Sequence, residues 1–123
     1  MEKSKKMTAE DAKLKGGKFY KIGNYKEAHK CYSQAISLIE SDLSNESKSI
    51  YYSNRANSAF FLNPSDYSEV IRDCNLAIRF NKNNIKPYYR KVISFIKEEE
   101  PCEADNFLKE MRSLFTIQSK CKI

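Results

Sequence analysis

Residues 23–36 read GNYKEAHKCYSQAI, and their polar and apolar positions set the pattern for the chain. Tyr25, Ala28, Tyr32 and Ala35 recur at spacings of three and four, which is one face of a helix. The small residues Ala28 and Ala35 admit a close neighbour, and the two tyrosines fill the space beside them. Lys26, Glu27, Lys30 and Gln34 fall on the other side, where His29, the single histidine, reads as a surface residue. Ahead of the run, Gly23-Asn24 is a turn pair that tolerates positive φ.

The same period predicts six helices. The first covers residues 9–22. Thr8 with Asp11 three positions on marks its start, and Ala12, Leu14, Phe19, Tyr20 and Ile22 are its apolar set. Gly16-Gly17 interrupts it, at about 1 kcal/mol for each glycine relative to alanine. The pair reads as a packing notch or as drift. The second helix extends the opening run to about residue 40, and a polar loop follows over 41–47. The third covers 48–62, with Ile50, Tyr51, Ala56, Ala59, Phe60 and Leu62, and Pro64 cannot continue it. The fourth covers 67–80, with Val70, Ile71, Cys74, Ala77 and Ile78. The fifth covers 85–98 and tolerates Pro87 in its first turn. The sixth starts at Pro101 and runs to about 117. A flexible basic arm over 1–7 and a loose tail over 118–123 are expected outside them.

The helices come in pairs that repeat. Ala28, Val70 and Ala104 hold equivalent places, as do Tyr32, Cys74 and Leu108, and Ala35, Ala77 and Met111. The first step is 42 residues and the second is 34. A period of 34 made of two helices is that of a tetratricopeptide unit. The longer first step is absorbed by the loops near 41–47 and 63–66. Three units result, at about 8–42, 47–80 and 84–117. The third has decayed, with Glu99 where the turn glycine belongs.

Composition narrows the class. A length of 123 residues is one domain. Hydrophobic residues at 41% against 31% charged give a thin core under much surface. Three Gly and three Pro favour helices over a turn-rich β fold. A net charge of +6 suits an acidic partner (a carboxylate-rich peptide, nucleic acid or a membrane surface) or serves solubility alone. Cys31, Cys74, Cys102 and Cys121 are far apart with no CxxC, as in a reduced cytoplasmic protein, and Cys31 and Cys74 read as packing residues. Residues 1–7 are polar and basic with no apolar run behind them, unlike a signal peptide. No apolar run approaches membrane-spanning length. No nucleophile–histidine pairing, glycine-rich phosphate loop or metal-ligand cluster is present, so no catalytic residue, metal or cofactor is expected. A nucleic-acid reading rests on charge and tyrosines alone.

The chain resembles a three-unit tetratricopeptide (TPR) domain over nearly its whole length. The pieces GNYKEAHKCYSQAI, YYSNRAN and KPYYRK resemble the carboxylate-clamp subset of heat-shock co-chaperones. That resemblance implies an all-α fold, a right-handed α-solenoid of three antiparallel helix pairs. It also implies a shallow groove lined by the first helix of each pair. The implied ligand is the acidic C-terminal tail, ending in Glu-Glu-Val-Asp, of the seventy- and ninety-kilodalton heat-shock chaperones. The clamp lysine of the first helix matches Lys13, the asparagine of the third matches Asn54, and the lysine and arginine of the fifth match Lys86 and Arg90. The clamp asparagine of the first helix is replaced by Gly17. Tyr20, Phe61 and Ile93 are the groove residues expected to read the upstream part of a ligand.

The residue chemistry supports that resemblance. Lys13 and Gly17, and Lys86 and Arg90, are four apart and share helix faces. Arg90 brings a planar fork suited to a carboxylate, Lys86 a mobile point charge, and Asn54 an uncharged amide donor. The expected function is that of a non-catalytic adaptor. The competing reading is a generic TPR scaffold that holds a different protein segment over a degenerate clamp. Phe107, Leu108, Met111, Leu114 and Phe115 of the last helix have no seventh helix to cover them. Partial exposure, self-association through that face, or cover from residues absent from this chain is expected there.

Overall fold

The computed structural model describes residues 6–98 and 101–121, with side chains in the last helix from 102 to 113. Six helices follow one another, with no strand among the described residues: α1 (Ala9–Lys21), α2 (Tyr25–Ser37), α3 (Asn45–Phe60), α4 (Tyr67–Phe80), α5 (Lys86–Lys97) and α6 (Pro101–Cys121). Expectations for residues 1–5, for Glu99-Glu100 and for the side chains of Leu114 and Phe115 lie outside the described residues.

The helix ends have local causes. Thr8 Oγ1 accepts from the Asp11 N–H at 3.1 Å, and Asp11 Oδ2 accepts from the Thr8 N–H at 3.2 Å. This reciprocal box satisfies two donors that the helix itself leaves unpaired. At the other end of α1, Gly23 takes φ 81°, a region closed to most side chains. Its N–H donates to the Tyr20 carbonyl at 3.0 Å, and the Asn24 N–H donates to the Phe19 carbonyl at 2.9 Å. That pair of bonds closes a helix in the Schellman manner. Asn24 then starts α2, its Oδ1 accepting from the Glu27 N–H at 3.3 Å.

Three boundaries differ from expectation. Helix α3 begins at Asn45 rather than near 48, because Ser44 Oγ accepts from the Ser47 N–H at 3.1 Å. Residues 45–49 carry no apolar side chain, so periodicity could not reveal that turn. Helix α2 stops at Ser37 rather than near 40. Leaving the helix there lets Ile39 and Leu43 fold back over the buried cluster of Ala12, Ala35 and Tyr51. Helix α6 runs to Cys121, past its expected end near 117.

The pairs are antiparallel. Along α1 and α2, Ala12 meets Ala35, Gly16 meets Tyr32 and Tyr20 meets Tyr25. Along α3 and α4, Tyr52 stacks on Phe80 at 5.7 Å, Arg55 pairs with Asp73, and Ala59 joins Val70 in one buried cluster. Full burial of Val70 contributes roughly 1.5–3 kcal/mol. Cys74 lies in the same cluster, and burial pushes its thiol up to about 12, which leaves it an inert packing group. Helix α3 also packs on α5, which joins the second pair to the third.

Two side chains behave otherwise than expected. His29 is half-buried, not a free surface residue, and its Nε2 lies 2.5 Å from Glu69 Oε1 of α4. The next pair in the stack reaches the edge of α2's polar side at His29, while Lys26, Lys30 and Gln34 stay exposed. In α6, Phe107 is only 8% exposed and stacks on Tyr88 at 5.8 Å, while Met111 packs on the same cluster. Only Leu108, at 37%, turns outward among these three. A last helix still has one neighbour, and Phe107 faces it, so the face expected to stand open is closed at Phe107 from within the chain.

Gly16 is a packing notch. A Cβ there stands 2.7 and 2.8 Å from the Tyr32 ring carbons and 3.1 Å from Cys31 Cβ. The ring is sealed and cannot swing away. Gly16→Ala is expected to lose about 1 kcal/mol net, since overpacking of about 1–3 kcal/mol exceeds the helix-propensity gain. Gly17→Ala, with only the Tyr32 hydroxyl within 4 Å, is expected to gain stability instead. Thermal melts of the two variants beside the parent check both signs.

Candidate functional site

Helices α1, α3 and α5 run in the same direction, and cross-contacts set their heights. Lys13 Nζ lies 6.0 Å from the centre of the Tyr51 ring, and Tyr20 meets Phe61 at 6.2 Å, so α1 and α3 rise together. Asn84 Nδ2 donates to Ser49 Oγ at 3.0 Å and Arg90 Nε donates to Asn57 Oδ1 at 3.1 Å, so α5 rises with them. Between these fixed points, Gly17 and Lys86 fall level with the middle of α3. Tyr51, Asn54 and Asn57 are three apart and share one face of α3. Lys13 therefore approaches that face one turn below Asn54, and Arg90 approaches it one turn above.

Each side chain has a distinct state. Arg90 sits in the corner formed by the aromatics at the end of α3, 4.6 Å from the centre of Phe60 and 5.1 Å from that of Phe61, whose rings stand 84° apart. With Nε bonded to Asn57, its two terminal nitrogens have no hydrogen-bond partner among the described residues. Cation–π contact and one hydrogen bond thus hold in place a fork whose terminal donors remain available. The Asn54 amide, half-buried, likewise has no partner among the described residues. Lys86 is the exposed first residue of α5, a helix with no acidic residue in its first turn. Its charge adds to the positive end of the helix. Spacing alone joins Lys86 to Arg90, one turn on.

Lys13 is less available. Its Nζ is 3.1 Å from Glu10 Oε2, and the Tyr51 hydroxyl donates to Glu10 Oε1 at 3.3 Å. Burial, and then the Glu10 charge, push the Tyr51 phenol up. The chain's own carboxylate thus sits where an incoming one is expected.

The aromatic end of the site joins two pairs. Phe61 stacks on Tyr25 at 4.9 Å, and Tyr20 packs edge-on to both. Burial pushes the Tyr20 phenol up and the nearby Arg90 charge pulls it down. Ile93 is half-buried on α5, one turn past Arg90. The spacing pattern did not single out Asn57 or Glu10, although Glu10 and Lys13 sit at a readable helix spacing of three. Arg55, in the same YSNRAN run as Asn54, faces away from this site. It makes a two-pronged bond to Asp73 of α4 at 2.8 and 3.0 Å.

A hollow of about 450 Å³ lies at the start of α1, lined by Met7, Leu38, Leu43 and Tyr51 with Glu10, Glu40 and Asp42 among its polar lining. Its three carboxylates outnumber Lys6, the one basic residue of the lining, and disfavour an acidic chain end. Among the described residues, no group of three or more His, Cys, Asp or Glu could hold a metal ion. No helix among them is long and apolar enough to cross a membrane.

No family model matches the chain. Curated relatives do. The mitochondrial import receptor subunit TOM70 of Rattus norvegicus is 37% identical over 92 residues, which are 75% of this chain and 15% of that protein. The Hsp70/Hsp90 co-chaperone CNS1 of Saccharomyces cerevisiae is 37% identical over 103 residues, 80% of this chain and 26% of the relative. The human serine/threonine-protein phosphatase 5 is 38% identical over 86 residues, 70% of this chain and 16% of the enzyme. The chain thus spans between about a seventh and a quarter of these relatives. Among solved structures, the TPR2B domain of yeast Sti1, in complex with an Hsp70 peptide, superposes with a TM-score of 0.73 at 30% identity, covering 88% of this chain and 80% of that one. The first TPR of Spaghetti (RPAP3), bound to the HSP90 peptide SRMEEVD, superposes with a TM-score of 0.67 at 28% identity over 83% of this chain and 76% of that one. With three antiparallel helix pairs stacked as an α-solenoid and these likenesses along most of its length, the chain belongs to the tetratricopeptide-repeat family, in the form found in heat-shock co-chaperones.

Proposed function

We propose that this chain is a non-catalytic docking module for the acidic C-terminal tail of seventy- or ninety-kilodalton heat-shock chaperones. The terminal carboxylates are held by Lys86, Arg90, Asn54 and Lys13, in a clamp that lacks its amide donor at Gly17. The observation that carries this reading is Arg90. Its guanidinium is held in the corner between the Phe60 and Phe61 rings, and among the described residues neither its terminal nitrogens nor the Asn54 amide one turn away has a hydrogen-bond partner. A structural arginine spends its donors inside the fold, as Arg55 does on Asp73. The peptide-bound RPAP3 and Sti1 domains support the choice of ligand. Tyr20, Phe61 and Ile93 offer apolar surface to the residues upstream of the chain end. This reading implies work in the cytoplasm, where those chaperone tails are exposed.

The competing reading, a scaffold for another protein segment, draws on two observations. Position 17 has no side chain, and Glu10 already occupies Lys13. One titration separates the two readings. The peptide SRMEEVD is added as free acid and, separately, as its C-terminal amide. Clamp docking predicts saturable binding of the acid and at least tenfold weaker binding of the amide. Equal affinity for the two removes the clamp.

Gly17 supplies a gain-of-function prediction. An added Cβ there meets nothing nearer than the Tyr32 hydroxyl at 3.9 Å. Gly17→Asn therefore fits without displacement and is expected to tighten free-acid binding by about three- to tenfold, the net worth of one ordinary hydrogen bond. The amide peptide serves as the control and is expected to be unaffected.

A further inference from the structure

Two adjacent glycines inside a helix are unfavourable unless both positions are used. Gly16 is used: the Tyr32 ring of α2 passes through the space its missing side chain leaves. What lies beyond that notch is the Tyr32 hydroxyl. It is the one atom within 4 Å of a Cβ built at Gly17, at 3.9 Å. Tyr32 is 4% exposed, yet its hydroxyl has no hydrogen-bond partner among the described residues. No fully buried side-chain oxygen or nitrogen there lacks a partner, so what little of Tyr32 solvent reaches includes that hydroxyl. The phenol therefore passes Gly16 and ends, with no partner among the described residues, 3.9 Å from the Cβ position from which the missing clamp amide would project.

We infer that the Tyr32 hydroxyl is the fifth donor of the clamp, supplied by α2 through the Gly16-Gly17 gap in place of the absent asparagine, and bonds the ligand's terminal carboxylate directly or through one water. This deepens the docking reading and rests on it. The reach is adequate. An asparagine amide nitrogen stands about 2.5 Å from its own Cβ by bond lengths alone. A hydroxyl 3.9 Å from the same point ends within a few ångströms of where that nitrogen would stand, a gap of the order that one water bridges. A phenol donates to a carboxylate at about 2.5–2.7 Å, and a bridging water extends its range by a further hydrogen bond. Burial holds the phenol up at about 12, so the proton stays on the oxygen at any physiological pH and the group acts as a donor. Gly16 then has a purpose, since a side chain there collides with the ring, and the bare Gly17 leaves the space in front of the hydroxyl open.

The test is Tyr32→Phe, titrated with SRMEEVD as free acid and as amide, in the parent and in a Gly17→Asn background. The variant removes an oxygen with no hydrogen-bond partner among the described residues, so its melting point is expected to match the parent. In the parent background, Tyr32→Phe is expected to weaken free-acid binding by about three- to tenfold and leave the amide unchanged. In the Gly17→Asn background, where an amide donor is restored, the same change is expected to cost less than about twofold. As a second readout independent of mutation, the Cζ resonance of Tyr32 in labelled parent protein is expected to move as free acid is added. If the parent distinguishes acid from amide while Tyr32→Phe binds both as the parent does, the tyrosine donor is overturned and the clamp stands. If the parent does not distinguish them, both fall together.

Discussion

Arg90→Ala is expected to weaken binding of a free-acid chaperone tail by about two orders of magnitude and to abolish the preference over the amide. The size follows from geometry. The two terminal nitrogens of Arg90 carry donors with no partner among the described residues, and contact with the Phe60 and Phe61 rings holds the group in place. A carboxylate can accept two parallel bonds from such a fork, each worth about 1.5–3 kcal/mol when charge-assisted. Part of that returns when water hydrates the ligand instead, so a net loss of about 2–4 kcal/mol is expected. Arg90→Lys keeps the charge and loses the fork, and should fall between parent and alanine. The fold should tolerate both. Arg90 is half-exposed, and its removal leaves Asn57 near solvent rather than sealed. Calorimetric titration of the three proteins, with melting points as the control for folding, checks this.

The largest effect on stability is expected at Arg55. Asp73 is 2% exposed, and both of its carboxylate oxygens are bonded by Arg55 from the neighbouring helix. Taking two charges out of water is unfavourable, and the pair is tolerated because each satisfies the other. Arg55→Met strands the Asp73 charge in the interface of α3 and α4. Breaking a buried pair in this way typically costs 3–5 kcal/mol, a large share of the roughly 5–15 kcal/mol that holds a domain together. A fall in melting temperature of roughly 10 °C or more follows. Arg55→Met combined with Asp73→Asn, which removes the stranded charge, should recover much of the loss. If the single variant melts within about 2 °C of the parent, the pair carries less than its burial implies.

The fold was legible because its signals are local and redundant. The three-and-four spacing of Tyr25, Ala28, Tyr32 and Ala35 defines a face, Thr8 with Asp11 starts a helix, and Gly23-Asn24 ends one. Each of these needs only residues within one turn of each other. The start of α3 was missed for the same reason in reverse. Residues 45–49 give no periodic signal, and one serine hydroxyl decides the boundary. Contacts between helices were not legible. Spacing places His29 on the polar side of α2, and only the stack reveals Glu69 opposite it. Spacing likewise joins Lys86 to Arg90, yet it says nothing of Asn57 or Phe60, which fix where Arg90 points. Nor does it reveal that Glu10 lies across Lys13, or that Gly16-Gly17 marks a passage for a tyrosine from the partner helix. What a helix does alone is written in its period; what two helices do together depends on heights and rotations that sequence spacing does not encode.

The most direct measurement is a ¹⁵N–¹H spectrum of the chain titrated with SRMEEVD as free acid. The account predicts that the Asn54 side-chain amide, the Arg90 Nε–H and the backbone amide of Gly17 shift together, along one binding curve, while the surroundings of the His29–Glu69 pair between α2 and α4 stay still. Shifts that gather around that pair, with Asn54, Arg90 and Gly17 unmoved, would contradict it.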